Sequence, residues 1–226
     1  LTDIAEAKLY KDGIETTYSP TAVPFVKEPF AFYWPINWND VLNSDGAGCY
    51  TLKISYNISG VQLTFTWGIY DLKPFTTETA NFTARVRAFY NDYNEVEQID
   101  FTNSMVQDSC RFYGFIGNRQ PNMVTDNLIY QNREMKKVIR ENLNTYEIIT
   151  DPTCEGIIRK LTDNLLLSEN QLFLSDYNAA NHSYRFQDLP AIVENSPEIT
   201  YYEGSREASL KCVAGDKFKD QRTYYK

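Results

Sequence analysis

The residues of this chain that could do chemistry are few and scattered. A Ser–His–Asp relay needs a histidine to take the nucleophile's proton. The sequence has one, His182, in Asn181-His182-Ser183 at an expected turn. A lone loop histidine is expected to be a surface residue, and no second histidine or paired cysteine accompanies it to hold a metal. The cysteines, Cys49, Cys110, Cys154 and Cys212, lie far apart and form no CxxC redox or zinc pattern. Cys212 alternates with Ala208 and Leu210, which places it on an apolar face. Buried free thiols are therefore expected, because a Cys49–Cys110 disulfide would need an oxidising compartment.

Other candidate chemistry is equally thin. Asn43-Ser44-Asp45-Gly46 has the composition of a calcium loop, but no acidic residue stands at loop position 12, so a turn is expected. A glycosidase needs two carboxylates across a cleft. Glu95, Glu97 and Asp100 share one stretch, and solvation of a strand edge accounts for them. No P-loop or GxGxxG sequence occurs to cradle a phosphate. The sequons at Asn57, Asn81 and Asn181 are what an Asn-, Ser- and Thr-rich chain produces by chance. The expectation is a non-enzymatic protein with no catalytic, cofactor or metal residues.

Composition narrows the partners. With 30 acidic against 22 basic side chains the formal charge is −8, so the surface repels phosphate backbones and direct nucleic-acid binding is not expected. The basic tail of Lys217, Lys219, Arg222 and Lys226 reads as a solvated terminal strand. No apolar run approaches the roughly 20 residues that span a bilayer. A hydrophobic fraction of 42% and an aromatic fraction of 15% imply a folded chain.

The elements that would position these groups are mostly strands. Odd residues from Val61 to Ile69 are apolar and the even ones are polar or glycine. Tyr50, Leu52, Ile54 and Tyr56 alternate likewise, as do Phe82, Ala84, Val86, Ala88 and Tyr90, which would leave Thr83, Arg85 and Arg87 on a wet face. Three such runs predict a half-solvated antiparallel sheet. Residues 1–29 contain Pro20, Pro24 and Pro29 and predict an extended arm with a short strand near residues 7–10. Residues 30–117 predict a β-sandwich domain. Residues 114–122, with Gly114, Gly117 and Pro121, look like a junction to a β-rich domain over 118–226. Within that domain, residues 133–143 fit either a helix or the strand of a hairpin; the hairpin is preferred. Asp151-Pro152 marks the start of a helix over about 152–167, with Ile157, Ile158, Leu161 and Leu165 as its apolar stripe. The alternation of Tyr184 and Phe186 slips phase at Asp188, which predicts a bulge. The fold class expected is mainly β: an antiparallel sandwich, then a β-rich unit with one helix.

Several stretches carry a resemblance. Asp151-Pro152, Leu161-Thr162-Asp163, Leu165-Leu166-Leu167-Ser168 and Ser175-Asp176-Tyr177-Asn178 resemble small structural proteins of tailed bacteriophages infecting Bacteroidetes, crAss-like phages among them. So do Tyr201-Tyr202-Glu203-Gly204-Ser205-Arg206, Asp216-Lys217 and Lys219-Asp220. The resemblance covers residues 125–226. It implies a virion component in the connector, neck or tail, assembled in the bacterial host, one subunit of a ring whose partners are its own copies and other portal, neck or tail proteins. It assigns no functional residue. The arm is too extended to own a core and too apolar to be a free tail, so it would lie on a neighbouring subunit. The expected assembly contacts are Leu9, Tyr10, Val23, Phe25, Phe30, Phe32, Tyr33 and Trp34. Two other functions fit the same composition: a secreted or surface glycan-binding β-sandwich, and a phage-borne glycan depolymerase.

Overall fold

The computed structural model describes residues 6–28, 31–58, 61–94, 98–104, 106–166, 171–178, 183–216 and 220–223. The fold is mainly β, 57% strand against 12% helical. In chain order the first elements are β1 (Glu6–Lys11), β2 (Ile14–Glu15), β3 (Val23–Pro24), β4 (Phe32–Tyr33), α1 (Trp38–Asp45), β5 (Gly48–Ile58), β6 (Val61–Leu72) and α2 (Thr77–Ala80). Next come β7 (Thr83–Tyr90), β8 (Tyr93–Asn94), β9 (Ile99–Asp100), β10 (Val106–Ile116), β11 (Gln120–Ile129), β12 (Met135–Thr150) and β13 (Thr153–Cys154). The last are α3 (Glu155–Arg159), a π-helical segment Lys160–Leu166, β14 (Gln171–Asn178), β15 (Ser183–Val193), β16 (Glu198–Tyr201), β17 (Glu207–Asp216) and β18 (Asp220–Thr223).

The chain divides into two units, and the division does not fall at residues 114–122. One unit is Leu1–Ala80 with Tyr90–Val106; the other is Asn81–Phe89 with Gln107–Lys226. The expected boundaries at 29/30 and 117/118 are thus replaced by an interleaved pair. The cause lies in strand pairing. The third alternating run became β7, which hydrogen-bonds to β14 some 85 residues on, for example Val86 opposite Leu174, and not to its sequence neighbours β5 and β6. The three runs therefore do not share one sheet.

In the first unit the sheet order is β2-β1-β5-β6. Leu9 stands opposite Leu52 and Ala7 opposite Ile54, so alternate residues of β1 face the core. That core is Ala7, Leu9, Val41, Tyr50 and Leu52, with Trp34, Trp38 and Tyr70 packed around it. Val41 comes from α1, where a turn was expected. Its local signals are plain in retrospect. Asn37 caps the start by accepting from the Asn39 amide at 3.1 Å, and Gly46, at φ 80°, ends it with an N–H donated to Leu42 O. Asn43-Ser44-Asp45-Gly46 is the last turn of that helix plus its cap.

The second unit closes on itself. β12, β10, β7, β14, β15 and β17 pair in that cyclic order, since β12 bonds both β10 and β17. The result is a six-stranded antiparallel barrel. So few strands leave a narrow interior, because barrel diameter grows with strand number. Small and large side chains therefore share it: Ala84, Ala88, Ala191, Ala208 and Ala214 among Val86, Phe112, Ile116, Ile148, Leu172, Leu174 and Leu210. Thr150 is also buried, and its hydroxyl accepts from the Leu210 amide at 2.9 Å. Residues 133–143 fall in the β11–β12 hairpin, with Gln120 opposite Thr145 and Ile129 opposite Met135.

The helix expected from Asp151-Pro152 begins later, with Cys154 at the N-cap. Thr153 and Cys154 are taken as strand instead, paired to Ala208 and Glu207 of β17. From the expected stripe, Ile158 and Leu161 are buried and Ile157 half-buried; the Leu165 side chain lies outside the described residues.

Cys212 is buried as its alternation predicts, and so is Cys110; Cys49 and Cys154 are exposed, and all four are free thiols. Burial pushes the Cys110 and Cys212 thiols up to about 11, and burial likewise pushes the Tyr146 phenol up to about 12. In each case the folded protein holds its proton to higher pH than the unfolded chain does. Their stabilisation is fully present below pH 9 and falls away as pH rises towards 11 for the thiols and 12 for the phenol. All three belong to the barrel. Its urea midpoint is expected to drop steadily above pH 9, and a midpoint unchanged between pH 8 and pH 11 would contradict the assignment. At pH 8 a thiol reagent should modify Cys49 and Cys154 quickly and the other two only on unfolding.

Candidate interaction surfaces

The expected contact residues are, for the most part, occupied within the first unit. Leu9 is fully buried in its core. Tyr10 lies on the other face of β1, half-buried beneath Lys53, whose ammonium is 3.9 Å from its ring centre. Phe25 is buried against Tyr33 at 5.0 Å and Phe101 at 5.2 Å. Tyr33 donates its hydroxyl to Ser104 O at 2.8 Å. Val23 is half-buried in β3, and Trp34 packs on the core. Phe32 alone of those described is exposed and apolar; Phe30 lies outside the described residues.

Backbone bonds tie the same segment down. Thr16 N–H donates to Leu9 O, Thr17 N–H to the Asp45 carboxylate, and the Tyr18 hydroxyl accepts from Asn37 N–H. Hydrogen bonds from Ser44 and Thr17 hold the Asp45 carboxyl below its ordinary range. Residues 6–18 are therefore part of their own unit and not an arm laid on a neighbour.

An apolar surface does remain open, on the β5–β6 hairpin. Facing pairs there are Ile54 with Phe65 and Tyr56 with Leu63, and Val61 lies two residues before Leu63 on the same strand. They share the sheet face that carries Leu52, because cross-strand partners point the same way. Described pairing of β1 with β5 runs from Lys11 opposite Tyr50 to Glu6 opposite Ser55. Val61 is 60% exposed, Leu63 39% and Phe65 52%, with the Tyr56 and Phe65 rings stacked at 5.4 Å. β6 is also the edge of its sheet. The alternation along it breaks at Gly68, which sits at φ 58° where β6 has one residue more than β5; Tyr70 and Leu72 thereby return to the core face.

The barrel exposes apolar groups of its own. Phe82, Tyr113 and Phe115 are each about half exposed or more. Tyr113 and Phe115 leave β10 on the same face, and Phe82 O accepts from the intervening Gly114 N–H. Further apolar exposure lies at Ile129, Tyr130 and Met135 around the β11–β12 turn and at Ile199 and Tyr201 on β16.

The phase slip at Asp188 marks a built feature. Asp188 takes φ 52°, and the β14–β15 register shifts opposite it, between Leu174 and Asp176. Its backbone N–H donates to Ser175 Oγ at 3.0 Å, and its carboxylate receives Arg85 at 2.8 Å and Arg87 at 3.0 Å. The arginines expected on a wet face are thus only about a quarter exposed.

His182, Glu95 and Glu97 lie outside the described residues. Hydrogen bonds from the Thr102 hydroxyl and then its amide lower the Asp100 pKa. Among the described residues no three His, Cys, Asp or Glu side chains gather closely enough to hold a metal ion, and no helix is long and apolar enough to cross a membrane. The fold and these surfaces define the class of the molecule as a mainly β protein of a four-stranded sheet unit and a closed barrel. No protein family, no curated protein and no solved structure matches the chain.

Proposed function

We propose that this chain is a structural protein of a tailed bacteriophage virion, a ring-forming connector, neck or tail subunit that works through assembly contacts. The observation that carries the reading is the open apolar face of the β5–β6 hairpin. Val61, Leu63 and Phe65 extend a core face into solvent on an edge strand, an arrangement that a soluble monomer normally avoids and an assembling one uses. The apolar groups on the barrel exterior offer a second contact, and a ring subunit needs two. The resemblance of residues 125–226 to phage structural proteins adds the biological setting. The partners are other copies of the chain and neighbouring virion proteins.

The test is Leu63→Ser with Phe65→Ser. Both side chains already meet solvent, so the variant should keep its melting temperature within a few degrees. Sedimentation should show the wild type as an oligomer and the variant at least tenfold weaker in self-association, since each buried apolar side chain is worth roughly 1.5–3 kcal/mol. Equal sedimentation of the two would remove this face from the assembly. A second reading, a glycan-binding module, draws on the exposed Tyr113 and Phe115 rings. It requires a monomer that loses glycan affinity on Tyr113→Ala.

A further inference from the structure

The charged cluster on the barrel exterior has the makings of a ligand site. Arg85 and Arg87 leave β7 on one face. Both place Nη2 on a single oxygen, Asp188 Oδ1. Ser175, buried between the strands, lies 3.3 Å from both Arg85 Nη2 and Asp188 Oδ1. The Arg87 guanidinium is 4.8 Å from the Phe89 ring centre and 5.4 Å from that of Phe173, which fixes its plane. Structural ion pairing alone would match donors to acceptors. Here, among the described residues, two cations meet one carboxylate, and Nε of each arginine is buried without a hydrogen-bond partner. About a quarter of each side chain stays open to solvent.

We propose that Arg85 and Arg87 form a binding site for one carboxylate monoanion, with Asp188 as the fixed carboxylate that holds the two guanidinium groups side by side. Charge selects the ligand class. Among the described residues the cluster sums to +1, which one carboxylate neutralises. A phosphate dianion would leave −1 on a chain that already carries −8. Guanidinium groups suit the task because their planar donors match a carboxylate's two oxygens. The carboxylate comes either from an acidic protein segment, this chain's own copies included, or from a free organic acid. The proposal does not rest on the ring reading.

The experiment follows the arginine Nε–H signals by NMR in the full chain while sodium acetate is added, with sodium phosphate and sodium chloride as comparators. Acetate should move the Arg85 and Arg87 signals saturably, phosphate and chloride should not, and Arg87→Lys should lose the response. Asp188→Asn raises the cluster to +2, so it should gain phosphate binding by roughly tenfold or more, about the worth of one charge-assisted hydrogen bond. A peptide with one glutamate between capped glycines distinguishes the sources. Tighter binding than acetate assigns a protein segment and equal binding a free acid, and either outcome upholds the site. Signals that stay still, that follow all three salts alike, or that respond unchanged in Arg87→Lys overturn it.

Discussion

Removing residues 1–29 is expected to unfold the first unit, not to release a folded monomer that merely fails to assemble. Six residues of β1 pair with β5 from Glu6–Ser55 to Lys11–Tyr50, and the deletion removes β1 and β2, two of the four strands of the sheet. The deletion also takes Ala7 and Leu9 out of a core of five fully or nearly buried residues. A buried leucine alone is worth about 2–5 kcal/mol against alanine, a large part of the roughly 5–15 kcal/mol that stabilises a domain. Leu9→Ala should therefore lower stability by about 3 kcal/mol, and the deletion by more than the unit has. Hydrogen exchange reads the result directly: amides of β5 and β6 should lose protection in the truncated protein. Protected amides there would return residues 1–29 to the status of an arm.

Gly114→Ala is expected to be nearly as damaging to the barrel. Gly114 lies in β10 at φ 142°, opposite Thr150 of β12. A Cβ built there would fall 2.2 Å from Ile149 O and 2.8 Å from Thr150 Cα. Both are backbone atoms of the paired strand, so no side-chain rotation relieves the clash. The strand must move, and Gly114 N–H must leave Phe82 O, or the residue must take a strained conformation. Strain and overpacking together cost about 2–6 kcal/mol. Urea unfolding followed by modification of Cys110 and Cys212 reports on this unit, because both thiols are buried in it. A loss under about 1 kcal/mol would show that the pairing is looser than the geometry states.

What the sequence made legible was local. Alternation located β5, β6 and β7, the phase slip at Asp188 located a bulge, and the balance of signals over residues 133–143 went to the hairpin. Which strands share a sheet was not legible. Alternation reports that one face is buried, not against what, and β7 finds its partner β14 across the whole β8–β13 region. The interleaved units follow from that one pairing. α1 was hidden because Asn43-Ser44-Asp45-Gly46 has turn composition, and the Asn37 cap that begins the helix stands next to Trp38, in an aromatic stretch ruled by Pro35. Most of the expected contact residues are taken up within their own unit for a related reason. Proline spacing suggested an arm, but prolines at 20 and 24 leave residues 6–15 free to form a hairpin on β5. The surface that remained open, Val61 to Phe65, carries the cleanest alternation in the chain; periodicity marks an apolar face without saying whether this chain covers it.

The proposed role of this protein is assembly. Native mass spectrometry of the purified wild-type chain, with negative-stain electron microscopy of the same sample, tests it most directly. The expected result is one closed oligomer of defined copy number, seen as rings, that dissociates when Leu63 and Phe65 are changed to serine. A monomer at every concentration up to the solubility limit would contradict it.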